Sequence, residues 1–407
     1  MSSPLVRNTV LMVFWQALRA GLQAVWAIGL ARALGLGGYG TFAGLAGLAT
    51  ALGALSGIGF GLVMLQAASR DSGEFPLQWR KALWRLLGSS IALGVVYVTL
   101  AVTWLDSPVA ITALLAIAGP ELLLAPLLTL ASYAFQAHDR MGWAGAMYAL
   151  GPLGNVVALV VCVSLAAPVN LSGYLYWHVL LGAGATGLAL LAVARLLRPG
   201  WAPAAAVAGE YAEASGFLAM RVVDTGLGTL DKSLVYRLAG AEVAGHYTAA
   251  YRLAALIALP AVSLAISAAP KLFRRLGSAD EQARFLRRLA GAGVGLGLVS
   301  IPVAWTLSFA LPWLFGAEFA HAAELARLNC LFPALLGLSA LGCTMLMARG
   351  RKRIRIGMQL GALLLLLVLM VAWVPAFAGA GAVLALGTTY LLLVVALWWS
   401  LWRPAQA

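Results

Sequence analysis

The sequence predicts an all-α polytopic membrane protein of about twelve transmembrane helices, arranged as two similar halves. Three observations carry this. Hydrophobic residues make up 62% of the 407 and charged residues only 10%, against about 25% charged in ordinary soluble domains. The apolar runs are long enough to cross a bilayer, which takes about 20 residues. Finally, a pattern repeats at about half the chain length: Arg32, Gly35, Gly40 and Phe42 recur as Arg237, Gly240, Gly245 and Tyr247, each at an offset of 205. Ala137 and Arg140 are echoed by Ala348 and Arg351 at an offset of 211. Repeats of this kind are a common way of building transporters.

Taken in order, the helices of the first half are expected near 10–33, 40–66, 82–105, 109–136, 143–166 and 172–197. Those of the second half are expected near 214–236, 244–270, 286–314, 321–347, 355–377 and 380–402. The chain then divides into an N-terminal six-helix lobe, 1–198, a cytoplasmic linker, 199–213, and a C-terminal six-helix lobe, 214–407. A single Arg7 precedes the first apolar run, and no small-residue cleavage site stands out, so the run reads as a retained span. Ser278 to Glu281 reads as a capping box opening the ninth span.

The excess of +13 charges is explained by orientation. Of the 27 basic residues, 20 fall in alternate loops on the side of both termini, while the opposite loops hold Arg32, Arg237 and Arg327. Both termini are therefore expected in the cytoplasm, and nucleic acid is not an expected partner. Proline interrupts several spans, at Pro120, Pro126, Pro152, Pro260 and Pro302, which lipid tolerates only where neighbours or a water-filled cavity satisfy the freed carbonyls. Gly44, Gly47, Gly53, Gly57 and Gly61 read as a close-packing face on the second span.

Several function classes are excluded. Cys162, Cys330 and Cys343 lie in apolar runs as reduced packing residues, and His138, His178, His246 and His321 are scattered without metal or triad spacing. No catalytic residues, metal ligands or cofactor site are expected. Gly35, Gly37 and Gly40 match GxGxxG, but between two membrane helices this is a decoy for the dinucleotide fingerprint. No Walker A sequence occurs. Outer loops of a few residues also disfavour a membrane glycosyltransferase or polysaccharide polymerase, and charges inside the membrane disfavour a pure scaffold.

Those intramembrane charges are the candidate site. Gln16, Arg19 and Gln23, with Asn8, fall within roughly 80° of one another on the first helix, placing Arg19 near mid-membrane. Burying such a charge costs about 2.5 to 3.5 kcal/mol on insertion scales, so something must stabilise it. On the seventh span Arg221, Asp224, Thr225, Gly228, Asp231 and Lys232 form one polar stripe, with structural pairing and ligand contact both open. Arg19, and Arg252 on the eighth span, lack an opposite charge within their own helices and are the better ligand candidates. Glu121, beside Pro120, is a candidate partner for one of them or a proton carrier.

Three stretches resemble the polysaccharide flippase, or O-antigen transporter, family of the multidrug/oligosaccharidyl-lipid/polysaccharide (MOP) superfamily. They are ARALGLGGYGTFAGL from Ala31, with Gly57, Gly59, Gly61, Arg70 and Asp71 after it; LDKSLVYRLAGAEVAGHYTAAYRL from Leu230, with Pro260 and Pro270 after it; and LFGAEFAHAAELARL from Leu314. The resemblance covers nearly the whole chain. It implies two six-helix lobes around a central cavity, alternating access, and flipping of a polyprenyl-pyrophosphate-linked oligosaccharide across the bacterial cytoplasmic membrane, with other polysaccharide-assembly proteins as possible partners. It also implies that Arg19 and Arg252 hold the pyrophosphate. Gln16, Gln23, Glu121, Arg221, Asp224, Asp231 and Lys232 would form the cavity network or couple an ion. The alternative within the superfamily is a multidrug or small-solute antiporter coupled through Glu121, Asp224 or Asp231. A major-facilitator transporter ranks lower, because Gln66 to Arg80 lacks that family's loop signature.

Overall fold

The computed structural model describes residues 4–165, 169–205, 208–273 and 279–402. All described regular structure is helical: α1 (Pro4–Gly53), α2 (Phe60–Arg70), α3 (Phe75–Thr103), α4 (Ile111–Gly119), α5 (Ala125–Ala137), α6 (Met141–Leu165), α7 (Leu171–Leu196), α8 (Ala208–Phe273), α9 (Ala279–Ser308), α10 (Leu311–Phe315), α11 (Ala320–Leu328), α12 (Phe332–Ala348) and α13 (Lys352–Trp402). Large apolar side chains such as Ile91, Val95, Ile266, Leu298 and Trp399 are exposed, as a surface solvated by lipid requires. Three apolar helices are about twice the length one crossing needs: Phe14–Gly53, Gly209–Ala268 and Lys352–Leu401, of 40, 60 and 50 residues. Each contains a backbone break. Taking each as two spans, and the pair Ala317–Leu328 and Phe332–Ala348, bent by 54°, as one, is consistent with the twelve expected.

The breaks fall where the repeat predicts. Gly35 in α1 has φ 70° and ψ 178°, and Gly240 in α8 has φ 85° and ψ 177°. Only glycine adopts this conformation without a steric penalty, so the paired glycines at offset 205 are one turn used twice. The second repeat is likewise structural. Both α5 and α12 end at the echoed alanines, Ala137 and Ala348, followed by a left-handed residue, Asp139 (φ 56°) or Gly350 (φ 72°). The Arg140 amide donates to Phe135 O and the Arg351 amide to Leu346 O, again 211 apart.

The chain forms two compact units, Met1–Thr225 and Gly226–Ala407. In the first, α1 and α6 run parallel in register: a Cβ on Gly142 would lie 3.9 Å from Leu11, one on Gly145 2.3 Å from Trp15, and one on Gly29 2.5 Å from Leu159. Pro120 removes a donor and opens a π-turn at Pro120–Leu124. The Leu122 carbonyl is capped by the Ser56 and Ser90 hydroxyls at 2.8 and 2.7 Å, which meets the requirement that lipid imposes on broken helices. Phe60, Phe75, Trp79 and Phe135 fill the core beneath.

Three expectations need correction. The second span is not one helix: α1 stops at Gly53, and Gly57, Ile58 and Gly59 take positive φ before α2 resumes. Its glycines pack closely as expected, since a Cβ on Gly53 would meet the Glu121 carbonyl at 2.6 Å, but they also break the backbone. The third span starts earlier, at Phe75, with Pro76 in its first turn. That makes Lys81 a buried helix residue paired with Glu210 at 2.7 Å instead of a loop cation. Because Glu210, and Tyr211 on Arg85, anchor its first turn, α8 begins at Ala208 and not near 214. The Ser278 end of the capping box, together with Arg274, Arg275, Arg403 and the side chains of Arg7 and Asn8, lies outside the described residues.

In the second unit α13 breaks at Ala378, with φ 46° and ψ −126°, and a Cβ on Gly381 would stand 2.2 Å from the Trp373 carbonyl. This is a glycine conformation occupied by alanine. Gly35→Ala and Gly240→Ala are expected to lower the thermal midpoint in detergent, each costing about 1–3 kcal/mol. Ala378→Gly is expected to hold or raise it. Equal behaviour of all three variants would show that the breaks carry no strain.

Candidate functional site

Each unit holds charged residues inside its helices. In the second unit, Gly240 turns α8 back on itself and brings Tyr247, Tyr251 and Arg252 toward Asp231 and Lys232. Asp231 is wholly buried. Tyr247 Oη donates to Asp231 Oδ2 at 2.6 Å. Lys232 Nζ donates to Oδ1 and Oδ2 of Asp231, at 2.9 and 3.0 Å, and to the Gly228 carbonyl at 2.7 Å. The same ammonium lies 3.4 Å from the centroid of the Tyr251 ring. That ring packs on Phe332 at 5.5 Å, and Phe332 on Tyr390 at 5.0 Å, so aromatic walls exclude water from the pair. Arg252 is half-buried and close enough for its charge to act on both Lys232 and Tyr251.

In the first unit, the in-register packing of α1 on α6 sets Arg19 one turn beyond Trp15, with its guanidinium 5.6 Å from the Tyr148 ring centroid. Arg19 is half-buried, and Gln16 and Gln23 on the same stripe are exposed. No carboxylate among the described residues is within ion-pair distance of Arg19. Glu121 is half-buried in the π-turn, where its Oε2 accepts the Thr50 hydroxyl at 2.9 Å. On α8 before the unit boundary, Arg221 is half-buried and Asp224 exposed.

The structure thus resolves the stripe of the seventh span into two parts. Asp231 and Lys232 form a buried ion pair, whereas Arg221 has no ion-pair partner among the described residues. Sequence reasoning missed Tyr247, Tyr251 and Tyr148, which complete these sites. Tyr247 was visible in the repeat, opposite Phe42, but an aromatic at a repeat position signals packing and gives no notice that its hydroxyl is used. Removing that hydroxyl leaves a buried carboxylate short of one donor, a change costing about 1–3 kcal/mol. Tyr247→Phe is therefore expected to lower the unfolding midpoint, and Asp231→Asn to lower it further because Lys232 then loses its counter-charge. Midpoints equal to the wild type in calorimetry would remove the cluster's structural role.

Residues 5–274 match the family model described as "Polysaccharide biosynthesis protein". No curated sequence matches the chain. Among solved structures the chain is similar to a multidrug resistance MATE family transporter of the MOP superfamily in an inward-facing conformation, with a TM-score of 0.69 and 14% identity over 94% of this chain and 93% of that one. An outward-facing conformation of such a transporter gives 0.61 at 14% identity, over 97% and 94%. A mutant Vibrio cholerae MATE transporter gives 0.65 at 12%, over 98% and 95%. Identities this low establish a common fold, and the family match spans more than half of the chain. The chain belongs to the polysaccharide biosynthesis protein family and is a multi-span membrane protein that shares the fold of MATE transporters of the MOP superfamily.

Proposed function

We propose that this transporter flips a polyprenyl-pyrophosphate-linked oligosaccharide, such as an O-antigen or exopolysaccharide repeat unit, from the inner to the outer leaflet of the bacterial cytoplasmic membrane by alternating access. The observation that carries the reading is Arg19: a half-buried guanidinium within a membrane-spanning helix, set over an aromatic face on the same stripe as two exposed glutamines, with no carboxylate to neutralise it among the described residues. Guanidinium binds phosphate oxygens bidentately, and a site shielded from water strengthens each contact. Arg252, half-buried on α8, supplies the corresponding cation in the second unit, where Asp231 and Lys232 neutralise each other. Gln16 and Gln23 offer donors and acceptors to sugar hydroxyls, while the polyprenyl tail stays in lipid.

The second reading, a small-solute antiporter, is favoured by the fold shared with multidrug transporters. It requires an exchangeable carboxylate facing a cationic substrate. Glu121 and Asp224 are the carboxylates this reading would use, whereas Asp231 already holds a lysine.

The test is flipping of a lipid-linked oligosaccharide in reconstituted vesicles. Loss of one charge-assisted phosphate contact costs about 1.5–3 kcal/mol, so Arg19→Ala and Arg252→Ala are each expected to slow flipping by about 10- to 100-fold. Arg19→Lys should recover part of the rate. Wild-type rates in both alanine variants would overturn the site. No flipping by the wild type, together with efflux of a cationic drug, would overturn the substrate class. With cytoplasmic termini, cysteines placed beside Gly240 should react with an impermeant maleimide from outside, and those beside Gly350 should not.

A further inference from the structure

We propose that Lys232 is a tethered cation: its ammonium permanently fills a monovalent-cation site built around Asp231, so that this site takes up no ion from solution. The inference stands on the geometry of the second unit and holds whatever the transported substrate is. The donor set is one that would hold a small free cation. It comprises two carboxylate oxygens of Asp231, the Gly228 carbonyl and the face of the Tyr251 ring, and all of them converge on Lys232 Nζ. The two carboxylate oxygens share one ammonium proton, the Gly228 carbonyl accepts a second and the Tyr251 ring face meets the third. Tyr247 Oη spends its proton on the carboxylate, so it aids a bound cation without competing for one. Asp231 is wholly buried and Lys232 nearly so, which disfavours replacement of either partner by water.

The repeat shows that this arrangement is not needed to hold the turn together. At offset 205, Asp231 corresponds to Trp26, Lys232 to Ala27 and Tyr247 to Phe42. In the first unit Trp26 and Phe42 simply pack edge to face, with ring centroids 5.8 Å apart. The same backbone frame closes there on an uncharged aromatic pair. A charged pair in its place is costly unless every partner is present, which marks the second unit's cluster as an electrostatic device.

Deleting the tether should expose the site. Unfolding midpoints are to be measured on the full chain in detergent, at constant ionic strength, as sodium replaces choline. The wild type is expected to show no saturable response. Lys232→Ala should gain one of about 2 °C or more, shared by methylammonium, and the double variant Asp231→Asn with Lys232→Ala should lose it. If Lys232→Ala does not fold in choline, purification in sodium or methylammonium is expected to recover it. A saturable, sodium-specific rise in the wild type, a Lys232→Ala protein that responds no more than the double variant, or failure of both cations to recover an unfolded variant would each overturn the proposal.

Discussion

A backbone surrounded by lipid has no water to bond, and each carbonyl released by a helix break must find a donor from the protein itself. The capping of Leu122 O by Ser56 and Ser90 is that constraint made visible. Pro120 opens the fourth span, yet the serines that close it come from the break in the second span and from α3. Ser56 is in position only because α1 stops at Gly53, and α1 can approach so closely only because a glycine stands opposite the Glu121 carbonyl. The two breaks are therefore one structure. It holds Glu121 against Thr50, and an irregular backbone inside a membrane protein gains there a fixed polar group.

The two units share their backbone and differ in what they put on it. Gly35 and Gly240 make one turn, and Asp139 and Gly350 another, at offsets that agree with the sequence repeats. Side chains at matched positions have diverged. Trp26 and Phe42 join Tyr174 and His178 in a buried aromatic group, tied by the Trp26 indole donating to Tyr174 Oη at 2.7 Å. Their counterparts Asp231 and Tyr247 are half of a charge cluster, while Arg252 stands where the first unit has Gly47. Duplication supplies the scaffold, and a few substitutions confine one kind of chemistry to one half.

Much of the fold was legible because spans, glycine turns and basic loops each have a local cause. The sixth span, expected near 172–197, is α7, Leu171–Leu196, and the gap between the last two spans falls at Ala378. Errors arose where one residue type serves two purposes. Gly53 and Gly57 read as packing alone; the Glu121 carbonyl beside Gly53 agrees, but the positive φ at Gly57, Ile58 and Gly59 adds a break. Lys81 reads as a loop cation until Glu210, over a hundred residues away, is brought to it. At the candidate site the charges were visible, because a charge in an apolar run stands out. Tyr148, Tyr247 and Tyr251 were not, since an aromatic in such a run is the ordinary case.

Lys232 and Arg252 are linked by charge arithmetic. Two opposite unit charges about 4 Å apart interact by about 4 kcal/mol at an effective dielectric constant near 20. Asp231 and Lys232 neutralise each other beside Arg252, whose charge acts on Lys232. Lys232 saturates both carboxylate oxygens. A dissolved cation in the same place would exchange with solution. An ammonium on a side chain one residue from the carboxylate cannot diffuse away, so the counter-charge of Asp231 is supplied by the chain itself.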